Sequence, residues 1–547
     1  MHYTKMGFYL NNKSKVSLYK SEMQRPYFVD KTLILSELFP FIESGNSHIC
    51  ITRPRRFGKT VMANMIGAFF EKDEDTKEIF DQLKISKSPE YEKHRNKHDV
   101  IYIDFSKMPE DCDSYDQYIS RIINRLKKDL IREYPDADYE EEDALWDILD
   151  CIFDMYDGQK FIFVMDEWDC VFHKAFITRE DQQKYISFLS NLLKDHGYVE
   201  LSYMTGILPI AKYSSGSELN MFLEYTMASE EKFNEYFGFT ESEVDDLFAK
   251  YLKICETPMI TREQLRLWYD GYHFGDFDVY CPWDVMNYML ELQRDPKAKP
   301  ISYWKNTSDN AIIRSFIDYA GSTITKKLET LMAGGCIVER VDENLTYDYL
   351  HSSEDNLWST LYLTGYLTKA REEDYKGELP DGMVALMIPN AEIKEIFETT
   401  VIKWFDDSTK KWNRNALFDA VWNGDSEGIT KEMNALLRRT ISYHDYREDF
   451  YHAFLAGIFT GAGYMVDSNK EHGEGRSDVV VYDSINARVA IFEAKYTKTL
   501  GNLESECEKA LQQIDDRMYA KEYEDDYDQI LCYGISFFKK RCMVKKK

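Results

Sequence analysis

The sequence predicts an α/β chain in three parts: a parallel sheet built around a phosphate-binding loop, a helical middle region, and a small α/β domain toward the C-terminal end. Three observations predict it. The stretch His48-Ile-Cys-Ile-Thr-Arg-Pro-Arg-Arg-Phe-Gly-Lys-Thr60 reads as strand, tight loop and helix start. Short apolar runs then alternate with helical stripes as far as Gly206, the rhythm of a parallel sheet covered on both faces. The last hundred residues change to an α-β-β-β-α-β order.

In chain order, Tyr27-Phe-Val-Asp-Lys-Thr32 leads into a short amphipathic helix, Leu33 to Phe39, which Pro40 is expected to end. After the loop, Val61 to Glu71 places Met62, Met65, Ile66, Phe69 and Phe70 at helical spacing. Val100 to Phe105 is a buried strand, Tyr115 to Tyr134 an amphipathic helix, and Phe161-Ile-Phe-Val-Met165 and Leu201 to Gly206 are two further strands. From about Ser217 the pattern turns helical, with a capping box at Thr240-Glu-Ser-Glu243 and a stripe of Val244, Leu247, Phe248 and Leu252. The aromatic stretch Trp268-Tyr-Asp-Gly-Tyr-His-Phe-Gly275 reads as core. Near the end come a helix around Tyr446 to Phe459, strands at Tyr464–Ser468, Ser477–Tyr482 and Val489–Ala494, a helix from Leu503 to about Tyr519, and a strand at Gln529–Ile535.

A formal charge of −28 argues against a broad nucleic-acid surface, so any such contact is expected to be local. Acidic runs such as Tyr139 to Asp143 and Glu522 to Tyr527 read as solvated faces. No apolar run approaches the roughly 20 residues that cross a bilayer, and the first residues lack the pattern of a secretory signal, so a cytoplasmic protein is expected. The ten cysteines show no C-x-x-C pair or zinc-ligand spacing and read as reduced and structural.

The loop carries the first chemistry. Backbone N–H groups at a helix start wrap an oligophosphate, with Lys59 supplying a point charge and the Thr60 hydroxyl holding Mg²⁺. The nucleotide-binding set is Arg53, Arg55, Arg56, Phe57, Gly58, Lys59 and Thr60, with ATP as ligand. Arg53 occupies the place where such loops usually carry a first glycine. On a later strand, Asp166 is placed to hold Mg²⁺ and Glu167 to orient or deprotonate water. Thr205, ending the next strand, is a candidate γ-phosphate sensor. The second constellation is Asp478, then Glu493 and Lys495, two apart on one strand and so on one face. Two carboxylates there would hold Mg²⁺, or Mn²⁺, against a phosphate, with the lysine steadying charge.

Tyr27 to Thr32, Arg53 to Thr60, Asp166-Glu-Trp-Asp169 and Trp268 to Tyr272 together resemble the bacterial AAA-ATPase-like family, over nearly the whole chain. The C-terminal segment resembles the PD-(D/E)XK nuclease superfamily. Ser442-Tyr-His-Asp445, Tyr451-His452, Ser468 to Glu471 and Gly534 to Lys540 add to that likeness, although Ser477 stands where the motif has proline. The resemblance implies a catalytic core of Asp478, Glu493 and Lys495, completed by Glu448 as a metal ligand and Gln513 as a polar partner. It implies an AAA-ATPase-like domain at 1–216, a helical region at 217–404 and a nuclease-like domain at 405–547. The expected function is ATP binding and hydrolysis joined to metal-dependent cleavage of DNA or RNA. The alternative is a nucleotide-dependent switch whose nuclease-like fold binds without cutting. No membrane partner is expected, and the oligomeric state is left open.

Overall fold

The computed structural model describes residues 7–45, 47–109, 112–140, 142–174, 176–210, 218–228, 232–255, 258–304, 327–328, 330–342, 354–399, 415–440, 448–460, 464–472, 475–497, 499–524, 526–538 and 541–547. They fall into two compact units, one holding 1–303, 339–369 and 379–384, the other 304–338, 370–378 and 385–547.

The first unit is built on five parallel strands: β1 (His48–Thr52), β2 (Asp99–Asp104), β3 (Phe161–Asp166), β4 (Val199–Gly206) and β5 (Leu223–Tyr225). Their order across the sheet is β2-β3-β4-β1-β5. Runs such as Phe161–Asp166 are buried at every position because helices cover both faces. Those helices are α1 (Ser14–Met23), α2 (Ile34–Ser44), α3 (Lys59–Phe70), α4 (Tyr115–Glu133), α5 (Leu145–Met155) and α6 (Arg179–Leu193). Pro40 does not end α2, contrary to the expectation from sequence. The helix continues to Ser44 and stops at Gly45, whose φ is 77°. A mid-helix proline costs about 3 kcal/mol, a cost offset here by burial of Ile34, Leu35, Leu38, Phe39 and Phe41.

After the sheet come α7 (Glu241–Ile254), α8 (Arg262–Tyr269) and α9 (Pro282–Arg294), with short strands β6 (Phe239–Thr240), β7 (Tyr272–Phe274) and β8 (Phe277–Tyr280) beside them. The Thr240 hydroxyl accepts from Glu243 N, so the capping box forms. Val244, Leu247 and Tyr251 face the core, whereas Leu252 is 43% exposed. Tyr27, from the lead-in, packs into this same cluster.

The second unit carries α10 (Asn415–Trp422), α11 (Ser426–Thr440), α12 (Glu448–Thr460), β9 (Met465–His472), β10 (Gly475–Asp483), β11 (Arg488–Tyr496), α13 (Leu503–Asp516), β12 (Gln529–Phe538) and β13 (Arg541–Lys546). The strands form one mixed sheet in sequence order, antiparallel except for the β11/β12 pair. One face packs Val480, Tyr482, Val489 and Ile491 against Ile514, Tyr519 and Tyr523. The other meets α12, where Phe459 lies 5.3 Å from Phe492 and Tyr451 stacks 4.0 Å from Phe537. β13, which sequence reading missed, buries only Cys542 and Val544 among charged neighbours. None of the ten cysteines, all of them described, is in a disulfide. Among the described residues no helix is long and apolar enough to cross a membrane.

Candidate functional site

The parallel order brings the loop after β1 and the tip of β3 to the same edge of the sheet, separated by β4. The loop turns at Arg56 and Gly58, with φ of 72° and 87°, and not at Arg53. Gly58 then starts α3, leaving free N–H groups at the helix mouth. Lys59 is 4% exposed and its Nζ donates to the Pro54 carbonyl at 3.1 Å, so the ammonium is held within its own loop. Phe57 is fully buried against Tyr272 and Phe274, at 4.9 and 5.0 Å between ring centroids. A cleft of about 340 Å³ opens here. Arg25, Arg56, Lys59, Thr60 and Glu167 line one part of it; Pro282, Trp283, Met286 and Leu290 of α9 make an apolar wall.

Asp166 is wholly buried, and burial, then Glu167 and Asp104 beside it, push its carboxyl up to about 7. Thr60 and Lys59 pull the other way. Its Oδ1 has no hydrogen-bond partner among the described residues, and its Oδ2 accepts from the Tyr102 hydroxyl at 3.4 Å. Glu167 sits at φ 53°, a conformation that non-glycine residues adopt at a cost. Asp169 closes the motif from below: its Oδ2 accepts from Ile207 N at 2.8 Å and Leu208 N at 3.0 Å. Gly206 is required there, because a Cβ would come within 2.6 Å of the Trp168 ring.

In the second unit the register Val479↔Phe492 and Val480↔Ile491 sets Asp478 across from Glu493 on the α13 face. Asp478 Oδ2 accepts from Ala494 N at 2.7 Å, and His452 Nε2 of α12 stands 3.2 Å from the same oxygen. Lys495 Nζ donates to Glu493 Oε1 at 3.2 Å. Glu493 is closed to solvent, and its Oε2 has no hydrogen-bond partner among the described residues. Burial and then Asp478 raise the Glu493 carboxyl well above the usual range, with Lys495 and His452 opposing. Gln513 reaches the Tyr519 hydroxyl, and both Glu493 and Asp478 are near enough to act on that hydroxyl.

A family profile described as a predicted AAA-ATPase matches residues 19–215, and one for the PD-(D/E)XK nuclease superfamily matches 446–547. The chain joins an AAA-ATPase-like segment to a PD-(D/E)XK nuclease superfamily segment. It is 23% identical over 525 residues to an uncharacterized protein in the vnfD 5' region of Azotobacter chroococcum mcd 1, covering 93% of each. Among solved structures it is similar to the Aeropyrum pernix ORC2 protein in its ADPNP–ADP complexes. That likeness is 10% identical, covers 73% of this chain and 95% of that one, and has a TM-score of 0.29, too low to carry an argument.

Three residues of the AAA-ATPase-like segment stand elsewhere than the sequence suggested. Arg53 is 1% exposed and spent on structure: Nη1 donates to the carbonyls of Thr52 and Tyr225 at 2.7 and 2.8 Å, and Nη2 to Asn234 Oδ1 at 2.7 Å. Burial pulls its guanidinium down to about 9. It ties β1 to β5. Thr205 is buried with its hydroxyl donated to Ile51 O at 2.9 Å, which holds β4 to β1. Arg55 is exposed and lines no part of the cleft, while Arg56 does. In the nuclease segment, Glu448 begins α12, but its side chain lies outside the described residues; so do residues 441–447 and the side chain of Ser477. His452, one turn beyond Glu448 on the same helix face, is the residue brought to Asp478. Its signal in the sequence was the Tyr451-His452 likeness to the nuclease superfamily.

Both sites pass a test for Mg²⁺. Each presents a buried carboxylate oxygen lacking a hydrogen bond among the described residues, beside a second oxygen donor: Thr60 at Asp166, Asp478 at Glu493. No cluster of three or more His, Cys, Asp or Glu side chains able to hold a metal occurs among the described residues. Mg²⁺ is ordinarily held by one or two carboxylates plus substrate phosphate and water, so a full cage is not required.

Proposed function

We propose that the chain binds and hydrolyses ATP in the loop cleft and cleaves nucleic-acid phosphodiesters at Asp478, Glu493 and Lys495. At the first site the helix mouth and Lys59 bind the phosphates, Thr60 and Asp166 would hold Mg²⁺, and Glu167 orients the attacking water and takes its proton. At the second, Asp478 and Glu493 would hold Mg²⁺ or Mn²⁺, which supplies Lewis acidity toward a phosphoryl oxygen. Lys495 places a positive charge where the phosphate's charge builds up. His452 holds Asp478 in place opposite Glu493. The observation that carries the reading is that Lys495 bonds Glu493 Oε1 and His452 stands at Asp478, opposite Glu493, while Glu493 Oε2 has no hydrogen bond among the described residues.

A second reading, a nucleotide-dependent switch that binds without cutting, is favoured by the complete burial of Glu493 and the net charge of −28. An assay of the full chain on DNA and RNA, with Mg²⁺ or Mn²⁺ and with or without ATP, separates the two. Cleavage that needs metal supports the first. No cleavage under any nucleotide state, with nucleic-acid binding retained, supports the second. Lys59→Ala should weaken ATP binding; unchanged affinity by calorimetry removes the loop from the mechanism.

A further inference from the structure

A cavity of about 370 Å³ that shares no residue with the nucleotide cleft is lined by the start of α1, the end of β2 and α4. Lys15 faces it and is only 6% exposed. Lysine is seldom buried without a counter-charge. Close packing puts it there: a Cβ on Gly67 of α3 would lie 3.2 Å from the Tyr102 ring and 3.7 Å from Lys15 Cβ, so the bare glycine lets α1 settle against the sheet.

Lys15 Nζ stands 3.5 Å from the centroid of the Tyr102 ring and has no hydrogen bond or ion pair among the described residues. Burial pulls the ammonium down to about 8. A cation over an aromatic face recovers about 2 kcal/mol when desolvated, less than a buried ammonium loses in leaving water. The carboxylate in the same cavity does not fill the gap. Asp104 Oδ1 accepts from Ser106 N and Oγ at 3.0 and 2.6 Å, and its Oδ2 pairs with Lys107 at 3.4 Å. Arg121 of α4 lines the same space. Three cations, Lys15, Lys107 and Arg121, thus line a cavity whose one acid, Asp104, is already engaged by Ser106 and Lys107.

We propose that this cavity binds a small oxyanion, the carboxylate or phosphate group of a metabolite, between Lys15 and Arg121, and that its occupancy is passed to Asp166 through Tyr102. The route is short. The ring whose face carries Lys15 donates its hydroxyl to Asp166 Oδ2 at 3.4 Å, and an anion that draws Lys15 off the ring changes the field at that carboxylate. The coupling rests on Asp166 belonging to the nucleotide site; the binding does not.

The test uses the full chain carrying Lys59→Ala, which removes the loop ammonium. Calorimetric titration with inorganic phosphate, and separately with acetate, should show one of them binding and so identify the group. Adding Lys15→Met should weaken that binding roughly tenfold or more, the size expected for one charge-assisted hydrogen bond. Arg121→Gln, on a less buried side chain, should weaken it several-fold and serves where Lys15→Met does not fold. Binding of neither anion, or equal binding by the variants, overturns the site. In the otherwise unaltered chain the bound anion should shift ATP affinity, and Tyr102→Phe should abolish that shift while anion binding remains. A shift that persists in Tyr102→Phe overturns the coupling.

Discussion

The two candidate sites each bury one strand carboxylate, Asp166 at the end of β3 and Glu493 within β11, with an oxygen that has no hydrogen bond among the described residues, yet they assemble it differently. Asp166 is balanced by Lys59 and Thr60 from a loop two strands away in the sheet, so its surroundings depend on the order β3-β4-β1. Glu493 is balanced by Lys495 on its own strand and faces Asp478 on the adjacent one. A hairpin and one helix laid against it set the second site, whereas the first spans three strands of its sheet. The first site should therefore yield to changes in distant packing, and the second chiefly to changes in its own four side chains.

The largest expected effect is on turnover at the first site. Glu167→Gln keeps the shape of the side chain but cannot accept a proton, so ATP hydrolysis should fall by about 10²–10⁴-fold with ATP still bound. Equal turnover in the variant would remove Glu167 from the mechanism. At the second site Asp478→Asn should lower metal-dependent cleavage by more than about 100-fold, since even outer partners of metal ligands are worth 10–100-fold. Asp478 is not an exposed carboxylate whose loss the fold would ignore. It is 9% exposed and accepts from Ala494 N, so Asp478→Ala should also cost about 1–3 kcal/mol of stability. Asn keeps the acceptor and most of that stability, and denaturant melts of the two variants measure the difference.

Arg53→Leu sharpens the contrast between local and distant control. It leaves the Thr52 and Tyr225 carbonyls and Asn234 without their donor, so unfolding free energy should drop by about 3 kcal/mol or more while ATP affinity of the folded protein changes little. Loss of affinity with unchanged stability would instead make Arg53 a phosphate contact. The smallest effect is pH-dependent. Because the Asp166 carboxyl is raised to about 7, the folded state holds more protons than the unfolded state between roughly pH 4 and 7, and this residue's contribution to stability falls as pH rises through that window. In metal-free protein Asp166→Asn should therefore be stabilising at pH 8, by on the order of 1–3 kcal/mol, with the gain fading toward pH 4. Thermal melts at the two pH values check it.

Four of the five parallel strands, the loop and the paired carboxylates were legible because each rests on local pattern: apolar runs, a glycine before Lys-Thr, and an i, i+2 pair on a strand; β5, only three residues long, lies in the stretch that read as helical. What escaped depends on partners far along the chain. Arg53 lies inside a phosphate-loop motif, and only the arrival of Tyr225 and Asn234 shows that its guanidinium turns inward. Pro40 reads as a stop until the burial around it is seen. His452 was visible as a motif match, but its distance to Asp478 follows from how α12 lies on the sheet. β13 was hidden because only two of its six residues are buried.

The packing of Phe57 has a consequence for how the protein is made. The rings that cover Phe57, those of Tyr272 and Phe274, belong to a hairpin synthesised some two hundred residues after the loop. At translation rates of about 5–20 residues per second, the phenyl group stays uncovered for roughly 10–40 s on the growing chain. Arrested nascent chains ending before and after that hairpin should differ in protease cleavage at the loop. Competence to bind nucleotide is thus a late event in synthesis, and an aromatic ring in the middle of the phosphate loop is a standing hazard for aggregation until the hairpin closes over it.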